Sequence, residues 1–371
     1  VTPAYLDYQA TTPLAPEAFE AMVPLLRDQF GNPHSMHRVG RQAAAAVEVA
    51  RDQVMAALGL PGGRLIFTSG ATEALNIGIV GAARAAPADR RRIVTVATEH
   101  AAVRDTVLAL RNDGFDPIIL PVGVDGLVDL DQARDAIRQD TALVAVMLVN
   151  NEIGVIQPVD ALASFAHMVG SPFLCDAVQG FGRTALPSAA DMVAISAHKI
   201  HGPKGVGALW LCDGLDLPPL IHGGGQEGGL RSGTLSPALC AGFGVAARLA
   251  REREGADAAH VRHLWNTALR LFGGWAVNGS LTQRYRGNLN VRRPGLDGAR
   301  LLSDCRTVSF SLGSACASGS GRPSHVLQAL GLSEKETRAS VRIGFGRYTT
   351  LEELEDAGRV INEAAARQDL P

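Results

Sequence analysis

Short apolar runs alternate with stretches of helical period along the first two-thirds of the chain. The runs at 65–68, 93–97, 117–122, 142–149, 173–175, 192–195 and 206–211 read as strands. The stretches at 71–86, 101–112, 130–138 and 159–168 read as helices. The run at 142–149 is almost wholly apolar, the pattern of a strand buried on both faces. This rhythm predicts an α/β fold, an open and mostly parallel sheet covered by helices. A long amphipathic helix at 236–253 closes that part. The rhythm then changes. Helices at 257–272 and 351–367 flank short strands near 288–291, 307–312 and 340–345, which predicts a smaller α+β companion domain. Thr350 with Glu353, and Ser333 with Glu336, are spaced as capping boxes.

Composition narrows the class. With 371 residues, 46% of them hydrophobic, the chain is long enough for two domains. A net charge of −2 gives no reason to expect nucleic acid as a partner. No apolar run is long enough for a membrane span, and the start shows no signal-peptide pattern. The five cysteines are odd in number and lack C-x-x-C spacing, as expected of reduced thiols in a cytoplasm. Only three of the 35 basic residues are lysines, Lys199, Lys204 and Lys335, in an arginine-rich chain. A lysine kept under such a bias is a weak sign that an amine is wanted there.

Polar groups cluster just past the predicted strands. Ser69-Gly70-Ala71-Thr72-Glu73 opens a helix after a strand, either as an anion cradle of backbone N–H groups or as an ordinary N-cap turn. His100 follows another strand, as a group that stacks on a planar ligand and moves protons or as a satisfied loop histidine. Asn150-Asn151-Glu152 follows the most apolar run. Asp176 and Gln179 follow 173–175, where ligands bind in open α/β sheets, although a capping role suits Asp176 as well. Ser196-Ala197-His198-Lys199 follows a further strand; Lys199 is a surface lysine or a desolvated amine able to form a Schiff base. An anion site, a histidine, an amide, an acid and an amine at five strand ends together describe a pyridoxal phosphate site. Cys316, in the Gly/Ser-rich 313–323, is the one cysteine outside any apolar run, a useful mobile thiol or an incidental one. Gly223-x-Gly225-x-x-Gly228 does not open a helix after a strong strand, so it is no dinucleotide fingerprint. The pairs His34/His37 and His198/His201 lack a third ligand, so no metal is expected.

On these residues the chain resembles the cysteine desulfurases, within the class-V aminotransferases of the fold-type I pyridoxal phosphate enzymes. The matching segments run in order over nearly the whole chain. They include Tyr5-Leu-Asp-Tyr-Gln-Ala-Thr-Thr12, Phe67-Thr-Ser-Gly-Ala-Thr-Glu73, Thr98-Glu-His100, Val149-Asn-Asn-Glu-Ile-Gly154 and Asp176-Ala-Val-Gln179. They continue with His198-Lys-Ile-His-Gly-Pro-Lys-Gly205, His222-Gly-Gly-Gly-Gln-Glu227, Arg231-Ser-Gly-Thr234, Gly313-Ser-Ala-Cys316 and Arg342-x-x-x-x-Arg347.

The resemblance implies a large cofactor-binding domain at 13–250 and a small domain of 1–12 with 251–371. It implies that Lys199 carries the cofactor, that His100 stacks on the ring and assists proton transfer, and that Asp176 pairs with the pyridine nitrogen. Gln179 and Asn151 would lie near the ring hydroxyl. Ala71, Thr72, Ser196 and His198 would hold the phosphate, with Thr234 reaching in from the second subunit of a homodimer. Arg342 and Asn151 would bind L-cysteine, Arg342 through the carboxylate. Cys316 would take the sulfur as a persulfide, release L-alanine and pass the sulfur to an acceptor or iron–sulfur scaffold protein. Two departures stand out: 288–299 lacks the family's usual Glu-Gly-Glu turn, and Ala197 replaces the glycine usual before the His-Lys pair. A selenocysteine lyase, another fold-type I aminotransferase, or a non-catalytic sulfur-carrier partner are the alternatives.

Overall fold

The computed structural model describes residues 3–312 and 323–368. A short strand β1 (Ala4–Tyr5) precedes helices α1 (Pro16–Arg27) and α2 (Arg38–Leu58). A seven-stranded sheet follows, made of β2 (Arg64–Thr68), β3 (Arg92–Val96), β4 (Asp116–Leu120), β5 (Thr141–Met147), β6 (Phe173–Asp176), β7 (Met192–Ser196) and β8 (Gly207–Leu211). Helices α3 (Ala71–Ala85), α4 (Ala101–Ala109), α5 (Leu130–Ala136) and α6 (Val159–Met168) connect the strands, and α7 (Pro237–Glu252) packs back on α1 and α2. All seven residues of β5 are buried, as its unbroken apolar run predicts.

The strand order is β2-β8-β7-β6-β5-β3-β4. The sheet is mostly parallel, with one exception: β8 is antiparallel to both β2 and β7. The cause is the short link at 197–206. A parallel return needs a crossover of a dozen or more residues, so this link turns the chain straight back. Thr68 and Ser196 both pair with Gly207, which aligns the C-terminal ends of β2 and β7 at one edge. A Cβ at 207 would stand 2.7 Å from the carbonyl carbon of Gly70, so only glycine allows this close approach.

A second core forms around Leu6, Leu264, Val291, Phe310, Ile343 and Ile361. Its elements are α8 (Glu254–Leu271), β9 (Ala276–Val277), β10 (Asn288–Arg292), α9 (Gly298–Asp304), β11 (Val308–Ser309), β12 (Ser311–Leu312), β13 (Ser340–Gly344) and α12 (Leu351–Arg367), while α10 (His325–Ala329) packs with Ile153 and Val155 and leads into α11 (Glu334–Arg338). The sheet β12-β13-β10-β9 is antiparallel, and β1 pairs in parallel with β11. Both expected capping boxes form, Ser333 with Glu336 on α11 and Thr350 with Glu353 on α12. From β1 the chain crosses to the large sheet, where the Thr12 N–H donates to the His198 carbonyl at 3.0 Å. Among the described residues no helix is long and apolar enough to cross a membrane.

Candidate active site

The aligned strand ends open into one cavity of about 530 Å³. Its lining includes Ala71, Thr72, His100, Asn151, Asp176, Gln179, Ser196, His198, Lys199 and Arg342. The structure thus brings together the strand-end residues singled out above and adds Arg342 from β13. Thr234 is not among them: it is exposed and lies outside the cavity of its own chain. Cys316 lies outside the described residues.

Asp176 ends β6 and is 4% exposed. Its Oδ1 accepts the Val178 N–H at 3.0 Å. Burial raises its pKa, while that hydrogen bond, His100 and Lys199 pull it back toward the charged form. His100 caps α4: its Nδ1 accepts the Ala102 N–H at 3.1 Å, which leaves Nε2 to carry the proton of the neutral ring. Beside it Glu99 is fully buried. Its Oε1 accepts the Met147 N–H at 2.8 Å and its Oε2 has no partner among the described residues. Burial, with Asp176 nearby, pushes this carboxyl well above the usual range.

Lys199 ends the turn Ala197–Lys199 in the short link after β7. Its Nζ donates to the carbonyls of Gln9 at 2.6 Å and Ala10 at 2.8 Å. The two histidines of this link diverge. His198 lines the cavity, and burial with Lys199 and Lys204 lowers its pKa to about 4. His201 is buried at a φ of 70°, its Nδ1 2.9 Å from the Pro13 carbonyl. Burial and Arg347 lower it to about 3. Among the described residues no three His, Cys, Asp or Glu gather as a ligand set.

At the far end, α3 starts at Ala71 with no side-chain cap, which leaves its first amides to face the cavity. Glu73 steadies this turn: it accepts the Ser69 N–H at 2.7 Å and pairs with Arg231 at 2.6 Å. Burial opposes its charge, yet these partners hold the carboxylate below the usual range. Opposite, Arg342 is 1% exposed. Its guanidinium donates to Asp7 Oδ1 at 2.7 Å and to the Asn151 carbonyl at 3.0 Å, and its Nε has no partner among the described residues. A buried fork with an orphaned N–H suits a carboxylate.

Asp7, Gln9, Ala10, Glu99 and Lys204 are site residues that the sequence reading assigned no role. A backbone carbonyl leaves no trace in side-chain pattern, so Gln9 and Ala10 had no signal. Lys204 did have one, as one of three lysines, and it stands exposed on the cavity's rim.

The aminotransferase class-V pattern matches residues 4–356, and the chain belongs to that family. Within it, the curated relatives are cysteine desulfurases. "Cysteine desulfurase IscS" of Rickettsia bellii is 41% identical over 371 residues, covering 97% of this chain and 90% of the relative. Among solved structures, a NifS-like protein superposes with a TM-score of 0.92 at 32% identity, covering 99% of this chain and all of the other. SspA in complex with cysteine superposes at 0.82 with 34% identity, covering 93% of this chain and 99% of SspA. The fold is that of the fold-type I pyridoxal phosphate enzymes.

Proposed function

We propose that the cavity holds pyridoxal phosphate and that the chain is a cysteine desulfurase acting on L-cysteine. The observation that carries the reading is the convergence of Lys199, Asp176, His100, an uncapped helix start and a buried arginine on one cavity. The fit to this cofactor is specific. An anion suits the uncapped start of α3, a buried carboxylate suits a protonated ring nitrogen, and an amine lies in the same lining. Bound there, the cofactor supplies an electron sink that weakens the Cβ–S bond of the substrate.

The chain's own groups do the rest. Lys199 gives up its two carbonyl partners to attach the cofactor and to move a proton through Nζ. His100 covers the ring and holds a proton at Nε2. Asp176 keeps the pyridine nitrogen protonated, Gln179 and Asn151 meet the ring hydroxyl, and Ala71, Thr72, Ser196 and His198 hold the phosphate. Arg342 takes the substrate carboxylate. Cys316 forms an S–S bond to the substrate sulfur as the Cβ–S bond breaks. The electron pair of that bond stays with carbon, which is protonated and leaves as L-alanine. The persulfide then passes to an acceptor protein, for iron–sulfur cluster assembly or thiolation.

We also propose a homodimer. Thr234 lies exposed, suited to reach a second copy's phosphate site, and Phe30 and Met36 are 82% and 89% exposed, an apolar surface suited to a partner. Residues 13–250 then form the large domain, and 1–12 with 251–371 the small one. The described cysteines are free thiols, in keeping with work in a reducing cytoplasm. The test is incubation of the purified protein with L-cysteine and dithiothreitol, with alanine and sulfide measured together. Cys316→Ser is expected to keep the cofactor's colour and lose both products. Full alanine formation by that variant would remove Cys316 from the reaction.

A further inference from the structure

Gln179 is buried in the cavity wall, and both ends of its amide are committed. Oε1 accepts from Arg183 Nη1 at 2.6 Å, and Nε2 donates to the Gln9 carbonyl at 2.9 Å. A guanidinium can only donate and a carbonyl can only accept, so the two partners agree on which way the amide points. What Nε2 has left to offer is one N–H, while Oε1 keeps one lone pair on the Arg183 side. The other arm of Arg183 reaches the catalytic turn, where Nη2 donates to the Lys199 carbonyl at 2.5 Å. The turn that carries Arg183 is held tightly. Gly182 sits at a φ of 68°, and a Cβ there would stand 2.9 Å from the Ala250 Cβ. The guanidinium also lies 5.3 Å from the ring centroid of Tyr285, with Tyr8, Arg347, His198 and His201 among the other charged or titratable groups around it.

We propose that Arg183 is a positioning residue that fixes the amide of Gln179 as a hydrogen-bond donor toward the cofactor's ring oxygen and ties that setting to the backbone of Lys199. The proposal rests on the reading that the cavity holds pyridoxal phosphate. A donor at the ring oxygen draws charge from it. The oxygen's hold on the proton of the Lys199 nitrogen weakens, and that proton leaves at lower pH. Without Arg183 only the Gln9 carbonyl sets the amide's direction, so the donor is held less firmly and the proton is held to higher pH.

The test is a pH titration of the visible absorption of the loaded full-length enzyme. Arg183→Met, which keeps the bulk and removes the donors, is expected to raise the midpoint by about 0.5–1 pH unit, the size of one ordinary hydrogen bond. Arg183→Lys, still a donor only, is expected to restore most of the shift, which a merely structural role would not do. Gln179→Ala should raise the midpoint as far as Arg183→Met, and the double variant should go no further. A wild-type midpoint in either Arg183→Met or Gln179→Ala overturns the proposal, and the second variant decides if the first fails to fold. A wild-type enzyme with no visible band in the presence of pyridoxal phosphate would instead remove the reading beneath it.

Discussion

Two walls face each other across the cavity, and they are built differently. On the large-sheet side the polar groups stand just past buried strands, and several are held by their own neighbours, while Lys199 and Gln179 also reach the Gln9 carbonyl. His100 takes the Ala102 N–H, Asp176 takes the Val178 N–H, and Asn150 takes the N–H groups of Glu152 and Ile153. On the other side nothing is local. Arg342 meets Asp7 from 335 residues away, and Asn288 reaches the Asn151 carbonyl at 3.2 Å. The first wall is set mainly by strand ends, with one tie to the 1–12 segment through the Gln9 and Ala10 carbonyls. The second exists only when the cores are docked. Under the proposed function, proton and cofactor chemistry would sit on the rigid wall and substrate recognition on the jointed one.

The largest expected effect tests the rigid wall. Lys199→Ala should abolish the enzyme's visible band and lower turnover by at least about 10³-fold, because no other amine takes over the attachment. The fold should be unchanged by circular dichroism. An unchanged spectrum would take Lys199 out of the site.

The next effect lies on the turn that joins the walls. Glu152 is buried, accepts a 2.5 Å hydrogen bond from Ser324 Oγ, and is pushed up to about 7, mainly by burial. A carboxyl raised in the folded state contributes most below its unfolded value, near pH 4.5. Its contribution falls as pH rises through about 7, by up to about 3 kcal/mol. Glu152→Gln keeps an acceptor for Ser324 and removes this dependence. Thermal unfolding from pH 5 to pH 8 should therefore show a smaller fall in Tm for the variant than for the wild type. Equal falls would mean that Glu152 ionises freely in the folded protein.

On the jointed wall, Arg342→Lys keeps the charge and loses the fork. KM for L-cysteine should rise by about 10- to 100-fold, with a smaller change in kcat. Steady-state kinetics decide it. A fall in kcat at constant KM would place Arg342 in the chemistry and break the division of labour between the walls.

The same division explains what could be read without coordinates. A strand buried on both faces declares itself by an unbroken apolar run, and the residue after it must face the crevice. His100, Asn151, Asp176 and Lys199 were therefore visible as candidates. Arg342 came from the family resemblance, because its place in the cavity depends on how one core meets the other. The Asp7 pairing was invisible for the same reason. Glu99 adjoins His100, yet nothing in its spacing shows that it is wholly buried with one oxygen unpartnered among the described residues. The reversal of β8 was also missed, although the length of the 197–206 link contained it. Thr234 is exposed, and its role rests on the proposed homodimer.

The smallest effect probes how far the joint extends. Thr350 caps α12, its Oγ1 accepting the Glu353 N–H at 3.1 Å while Glu353 returns to the Thr350 N–H at 2.8 Å. The helix packs on α8 and α9 through Leu354 and Ile361, in the core that also holds β13 and hence Arg342. Thr350→Ala removes one cap and should cost about 1 kcal/mol, a drop of roughly 1–3 °C in Tm. Since β13 is pinned to β10 and β12 on either side, that loss should stop short of the cavity. KM for L-cysteine should stay within about twofold of the wild type, because the Arg342 contacts are unaltered. A rise in KM that tracks the loss of Tm would mean that the second core bends as one body. The jointed wall would then include α12, and the boundary between recognition and scaffold would lie further from the substrate than Asp7 and Arg342.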